Sequence, residues 1–360
     1  MALRGASDLD AGFDDHEDDA APTTDPVTDR SADPTAELAP RAAAELSPGG
    51  GLNPAQRDVL TVLGARPHER PEFDPRLRHE LRADLEERLA PSAALVPDDK
   101  VLWLSKHALS SVHGCESHYL AREAEDFAWS PTTARGTVAH KALELCVHWR
   151  GEPVPGDLVD EAFARLIAST NSVSPYLGGM TEGERADLRS GAVERVAMFL
   201  ECFPPLESRW RPVTESRLRA DLCQDKVVLG GKVDLTVGRP DGLRAGKVLL
   251  DLKTGGFAPA HRDDLRFYAL IETLRIGTPP RLLATYYLDG GRLQHETVTE
   301  DVLQTAVERV VQGARAVVEL RHEERTPVLR PGPPCRWCPL QSTCVDGQRW
   351  LEERAELEGW

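Results

Sequence analysis

The run Lys247-Val-Leu-Leu-Asp-Leu-Lys-Thr-Gly255 constrains this chain more than any other segment. Its apolar residues, closed by a Thr-Gly-Gly turn, read as a buried strand. Side chains on a strand alternate between faces. Leu250 and Leu252 therefore point into a core, while Asp251 and Lys253 share the opposite face. A carboxylate and an ammonium are thus held side by side at the end of an apolar strand.

The surrounding pattern sets the fold class. Strand-like runs at Val213 to Leu222 and Lys226 to Val237 precede this one, with a hairpin turn at Pro240-Asp-Gly242. A helix is expected from Asp263 to Arg275, then strands at Leu282–Leu288 and Arg292–Val298, then a long helix from about Glu300 to Arg321. Upstream, Asn53-Pro54 is a cap and first-turn signal for helices over 52–90. Ser105 to Arg122 reads as a strand end and one helix, Gly136 to Arg150 as another, and 157–201 as further helices broken at Pro175 and Gly178-Gly179. Helices on either side of a small run of strands predict a mixed α/β or α+β core with a small central sheet.

Composition narrows the class further. Hydrophobic content of 41% supports a substantial core. The formal charge is −16, and residues 1–50 carry twelve acids against three arginines, more than half of it. That segment lacks apolar periodicity and is expected to be a disordered acidic tail. The remainder is mildly acidic, without the broad basic face of a non-specific duplex binder. Seven cysteines in uneven spacing do not read as a disulfide scaffold, and the N-terminus has no signal-peptide pattern. A cytoplasmic, reducing setting is expected, with no membrane span. Leu52-Asn-Pro-Ala-Gln56 resembles a helicase nucleotide contact, but no phosphate-binding Gly-x-x-x-x-Gly-Lys-Ser/Thr loop follows, which excludes ATPase chemistry.

Asp234, on the preceding strand, supplies a second acid. Two acids on neighbouring strands can hold a hard divalent cation, and Lys253 can steer or deprotonate water at a phosphate. Gly136-Thr-Val-Ala-His140 places a histidine four residues after a glycine, near an expected helix start, where it can ligate a metal. Asp264-Leu-Arg-Phe-Tyr268 sets an acid and a tyrosine on one helix face. Glu215, on the strand before Asp234, is a further acid within reach.

In this order the pieces resemble the RecB-like branch of the PD-(D/E)XK nuclease superfamily, over about Ser105 to Cys344. Gly136 and His140 match its Gly-x-x-x-His motif, Asp234 its strand acid, and Asp251 and Lys253 its Asp-x-Lys. Asp264 and Tyr268 stand in the Gln-x-x-x-Tyr helix, with aspartate in place of glutamine. The resemblance implies a restriction-endonuclease-like core over 101–347 with a helical insert at about 151–210, and the residue pattern adds a helical segment over 51–100 and a terminal helix over 348–360. It implies Mg²⁺ or Mn²⁺ held by His140, Asp234, Asp251 and the Leu252 carbonyl, with Lys253 positioning water and Tyr268 helping to hold the strand. The resemblance implies a metal-dependent exonuclease acting on single-stranded or end-containing DNA, with a helicase or repair protein as partner; a non-catalytic DNA-binding subunit of a helicase–nuclease complex and a metal-stapled interaction protein are the alternative readings.

Cys335-Arg-Trp-Cys338 and Cys344 lie in a Pro-rich segment, 327–347, and Cys115 lies far upstream. The resemblance implies the branch in which four such cysteines bind a [4Fe–4S] cluster. Structural zinc suits four thiolates by ligand count, and His113 and His118 beside Cys115 keep a mixed zinc site open. Cys146, Cys202 and Cys223 read as small buried residues.

Overall fold

The computed structural model describes residues 51–322 and 325–358, so the acidic segment 1–50 lies outside the described residues. The chain opens with α1 (Pro54–Leu63) and α2 (Leu77–Ala94). Asn53 and Gln56 close a reciprocal capping box at the start of α1, as the Asn-Pro signal predicts. A short strand β1 (Leu102–Leu104) leads into α3 (Lys106–Gly114) and α4 (Glu116–Glu123). These are two helices rather than one: Cys115 is extended, with φ −154°, and ends the first while preceding the second.

The next helix, α5 (Pro131–Cys146), begins a turn earlier than expected, because Ser130 caps it and Pro131 fills its first position. His140 therefore lies past its midpoint, not near its start. The insert folds as α6 (Pro155–Ala168), α7 (Val173–Gly178) and α8 (Glu182–Cys202). Pro175 does not break the chain, since it sits in the first turn of α7, where its missing N–H costs nothing.

Three strands follow: β2 (Val213–Leu222), β3 (Val227–Val237) and β4 (Val248–Lys253). Helix α9 (Ala260–Ile276), strands β5 (Leu282–Tyr287) and β6 (Arg292–Thr297), and α10 (Glu300–His322) complete the core. The last helix, α11 (Val345–Glu358), starts directly after Cys344, inside the cysteine segment.

The sheet has six strands, is mixed, and separates two cores. One core packs α2, α3, α9 and α10, with Leu109, Leu270 and Val310 among its members. The other packs α1, α5, α6, α7 and α8, with Val138, Leu158 and Phe199. Helices α1 and α2 are thus built into opposite sides of the fold. Strand β4 obeys its alternation: Val248, Leu250 and Leu252 enter the second core, and Leu249 the first. Asp251 and Lys253 share the parity of Leu249.

Strand β3 does not keep one parity. Val227, Leu229 and Val233 enter the first core, but Leu235 and Val237 enter the second. The switch falls where β3 faces Glu215, which lies between the paired residues Thr214 and Ser216 and has a left-handed φ of 53°. A non-glycine residue in that conformation carries strain of about 1–2 kcal/mol, and such strain collects at functional sites.

Candidate active site

Strand β3 meets β2 along one edge, and on its other edge meets two strands at different ends. Strand β1 pairs in parallel with Val227–Leu229, and β4 pairs antiparallel with Leu235–Val237. Between them lies a gap beside Gly230–Asp234. The register that pairs Leu235 with Leu250 would next pair Asp234 with Asp251, and there the strands part. Asp234 spans the opening, its Oδ2 accepting the Leu252 N–H at 2.7 Å. A carboxylate thus replaces a ladder hydrogen bond at the mouth of the gap.

On the second-core side, His140 reaches down from α5 and places Nδ1 3.4 Å from Asp234 Oδ1. Glu215 projects from β2 and pairs with Lys232. Ligand atoms of His140, Glu215 and Asp234 all lie within 4.8 Å of one another, and Leu252 lines the same small pocket. Two carboxylates supply hard oxygen donors and the imidazole a borderline nitrogen, a set that can hold a divalent cation. Burial works against the charged His140 ring, but the Asp234 charge and hydrogen bond outweigh it, so its pKa lies above the usual histidine value. Burial likewise opposes the Asp234 anion, yet His140, Lys106 and the Leu252 N–H hold its carboxyl well below the usual range.

Asp251 sits across the gap and is fully buried. It is not part of that three-residue group. Lysines engage both of its oxygens: Lys106 Nζ lies 2.9 Å from Oδ1, and Lys253 Nζ 2.7 Å from Oδ2, in ionic contact but off the hydrogen-bond angle. Lys253 also lies 3.8 Å from Asp264 Oδ2, and Ser110 donates to Asp264 Oδ1 at 3.0 Å. Burial raises the Asp264 pKa, with Lys106 and Lys253 pulling it back in part. The Tyr268 ring lies behind Lys106, whose ammonium is 5.2 Å from its centre, and burial pushes the phenol up to about 12. Tyr268 is 2% exposed, and Lys106 lies between its ring and the gap.

Glycines make these approaches fit. A Cβ on Gly231 would stand 2.5 Å from Tyr268 Cε1, and one on Gly230 would stand 2.2 Å from Trp103 Cζ2. At Gly136 it would meet Thr254 Oγ1 at 3.2 Å, so this glycine lets α5 lie against the turn after Lys253.

Reading the sequence missed Lys106, Ser110 and Lys232. A weak signal for Lys106 was present: an ammonium in the first turn of a helix opposes the helix dipole by about 0.3–1 kcal/mol, which a nearby acid would offset. Its partner is 145 positions away, and nothing local names it.

The four singled-out cysteines lie in one region, though no three of their sulfurs come within 4.8 Å of one another. After burial, the nearby thiols of Cys335, Cys115 and Cys344 push the Cys338 thiol up. A Cβ on Gly347 would touch Cys344 Sγ at 3.4 Å and Cys335 Sγ at 3.5 Å. The N–H groups of Gly332 and Gly347 donate to the Cys335 and Cys344 sulfurs, both at 3.4 Å. Next to Cys115, the buried Glu116 accepts from Arg325 at 2.9 Å and from the Val328 N–H at 2.7 Å. This ties α4 to the cysteine segment. Cys146, Cys202 and Cys223 are half-buried, less enclosed than their apolar context predicts.

Among the described residues, no helix is long and apolar enough to cross a membrane. No curated protein matches the chain. Among solved structures, it is similar to a "Putative exonuclease" from Eubacterium rectale at 11% identity and TM-score 0.42, covering 76% of this chain and 94% of that one. It is also similar to SSO0001 at 13% identity and TM-score 0.28, covering 60% and 97%. The sequence profile of the PD-(D/E)XK nuclease superfamily matches residues 104–345, more than half of the chain and the stretch holding β2 to β6 and both halves of the site. This chain belongs to the PD-(D/E)XK nuclease superfamily.

Proposed function

We propose that the chain is a metal-dependent DNA exonuclease of RecB type, which hydrolyses phosphodiester bonds at single-stranded ends during DNA repair or recombination. One observation carries this reading. The gap between β1 and β4 sets His140 and Asp234, with Glu215, beside the Asp251–Lys253 pair. His140, Asp234 and Glu215 would hold Mg²⁺ or Mn²⁺, with Asp251 and the Leu252 carbonyl completing the set. Bound there, the ion supplies charge neutralisation on the phosphoryl oxygens and an acidified water.

The chain's own residues do the rest. Lys253, 19% exposed, orients the attacking water or holds a phosphoryl oxygen. Asp251 fixes the Lys253 ammonium. Asp234 stays anionic through neutral pH because His140, Lys106 and the Leu252 N–H outweigh its burial. The four cysteines would hold a [4Fe–4S] cluster, or structural zinc in the alternative, as a staple between the start of α4 and the C-terminal segment. Such thiols fit a reducing, cytoplasmic setting, and a helicase or repair protein fits as partner.

The test is degradation of end-labelled single-stranded DNA with Mg²⁺ or Mn²⁺, with duplex and RNA as comparators. The parent should release short products from ends. Asp251→Ala and Lys253→Ala should each lower the rate by about 10²-fold or more. A parent without activity, or activity that survives both substitutions, refutes the reading.

A further inference from the structure

The catalytic corner holds more charge than the Asp-x-Lys pair explains. Lys253 is shared between Asp251 at 2.7 Å and Asp264 at 3.8 Å. Asp251 is fully buried, and the Asp264 side chain is only 12% exposed. One ammonium cannot offset two buried anions. A second cation, Lys106, is delivered to the other oxygen of Asp251 from a different element.

Its delivery is rigid. Ser105 caps α3 by accepting the Ala108 N–H at 3.2 Å, so Lys106 occupies the first helical position. Leu109 and Val112 anchor the helix in the first core, each 1% exposed. Helix α10 passes close because Gly313 is there: a Cβ would strike Leu109 Cδ2 at 2.4 Å. One turn beyond Lys106, Ser110 donates to Asp264. The same helix thus grips both carboxylates through an i, i+4 pair. Asp251, Tyr268, Asp234 and Asp264 together outweigh the burial of the Lys106 ammonium and hold it well above the usual lysine pKa.

We propose that Lys106 and Asp264 form a compensating charge pair around Asp251: Asp264 draws on Lys253, and Lys106 supplies Asp251 with the counter-charge it would otherwise lack. Lys106 is a positioning residue for the catalytic carboxylate. Asp264, at the place where the resemblance led to glutamine, orients Lys253 and is tolerated because Lys106 balances it. The proposal rests on the nuclease reading for its activity readout, but not for its binding readout.

Two single substitutions should act on metal affinity in opposite directions. Lys106→Met leaves an excess anion, which holds a divalent cation more tightly and repels phosphate. Asp264→Gln leaves an excess cation, with the reverse effect. Together they restore the balance. A residue that only fills space would produce losses that add.

The experiment titrates Mn²⁺ alone into the full-length parent, both single variants and the double variant, following free Mn²⁺ by electron paramagnetic resonance. The same proteins are then assayed on single-stranded DNA. Lys106→Met should bind Mn²⁺ about tenfold more tightly and lose about 10²-fold in kcat/KM; Asp264→Gln should bind it several-fold more weakly. The double variant should return to within about threefold of the parent in affinity and recover at least about tenfold in activity over Lys106→Met.

Shifts of the same sign, unchanged affinities or additive losses overturn the proposal. If Lys106→Met folds only when combined with Asp264→Gln, the pair is supported; if neither variant carrying it folds, the pairing is overturned. An inactive parent refutes the nuclease reading, while the Mn²⁺ affinities still decide the charge pair.

Discussion

Gly231→Ala is the most direct probe of how the sheet makes room for the site. Gly231 lies on β3 beside the gap, and its φ is ordinary, so the glycine is there for space rather than for backbone freedom. A Cβ would stand 2.5 Å from Tyr268 Cε1, 3.2 Å from its hydroxyl and 3.3 Å from Cζ, where ordinary contact begins at 3.4 Å. The ring must therefore retreat by about 1 Å, and close packing forbids that without moving neighbours. Tyr268 is 2% exposed, set among Phe267, Leu265 and the helix carrying Asp264. Overpacking of this kind costs about 1–3 kcal/mol. For a domain of this size that lowers Tm by roughly 2–5 °C.

The displaced ring also carries the Lys106 ammonium, so activity should fall by more than the stability loss accounts for at a temperature where the variant is fully folded. Urea unfolding and thermal scans read the first effect, and initial rates on single-stranded DNA the second. Gly255→Ala, with nothing within 4 Å of the added carbon, is the matched control and should be neutral in stability. Gly230→Ala should cost less than Gly231→Ala despite a nearer contact, because Trp103 is half-exposed and can swing aside. A Gly231→Ala protein as stable and active as the parent would refute the packing argument.

Two further outcomes test the C-terminal tie. Burial opposes the Glu116 anion, but Arg325 and the Val328 N–H outweigh it and lower its pKa. Its stabilisation is therefore complete above the unfolded glutamate value of about 4.3 and is lost as pH falls through the lower folded value. Glu116→Gln should cost about 1–2 kcal/mol at pH 7 in urea unfolding, and the deficit should shrink towards zero in acid; a deficit independent of pH would contradict this assignment. Protein purified without oxygen should be brown and hold about four irons per chain, and Cys115→Ser should bleach it. A colourless parent with one zinc would replace the cluster with the zinc alternative.

The local grammar of the chain was strong enough to place most elements. The Asn53-Pro54 cap, the β4 alternation and the turn at Pro240-Asp-Gly242 between β3 and β4 all act within a few residues, and each stands where the pattern put it. The failures were also local. Cys115 interrupts what periodicity drew as one helix, and Ser130-Pro131 starts α5 a turn before Gly136. Of the site, the sequence showed the residues of β3, β4, α5 and α9, because their acid, lysine and histidine spacing is unusual in apolar surroundings.

Which groups touch was a different question. That β1 and β4 share one edge of β3, and so leave a gap, depends on β1 pairing with a strand more than a hundred residues further along the chain. That Glu215 joins His140 and Asp234 follows from a left-handed residue at a switch in strand parity. That Asp251 faces two lysines, one of them brought by α3, follows from packing across the first core. Alternation and capping are written in neighbouring residues because they arise from backbone geometry within a few bonds. Register and helix docking arise from the shape of whole faces, so the chain alone determined that an acid–lysine pair would sit at a strand end, and the tertiary structure decided what that pair meets.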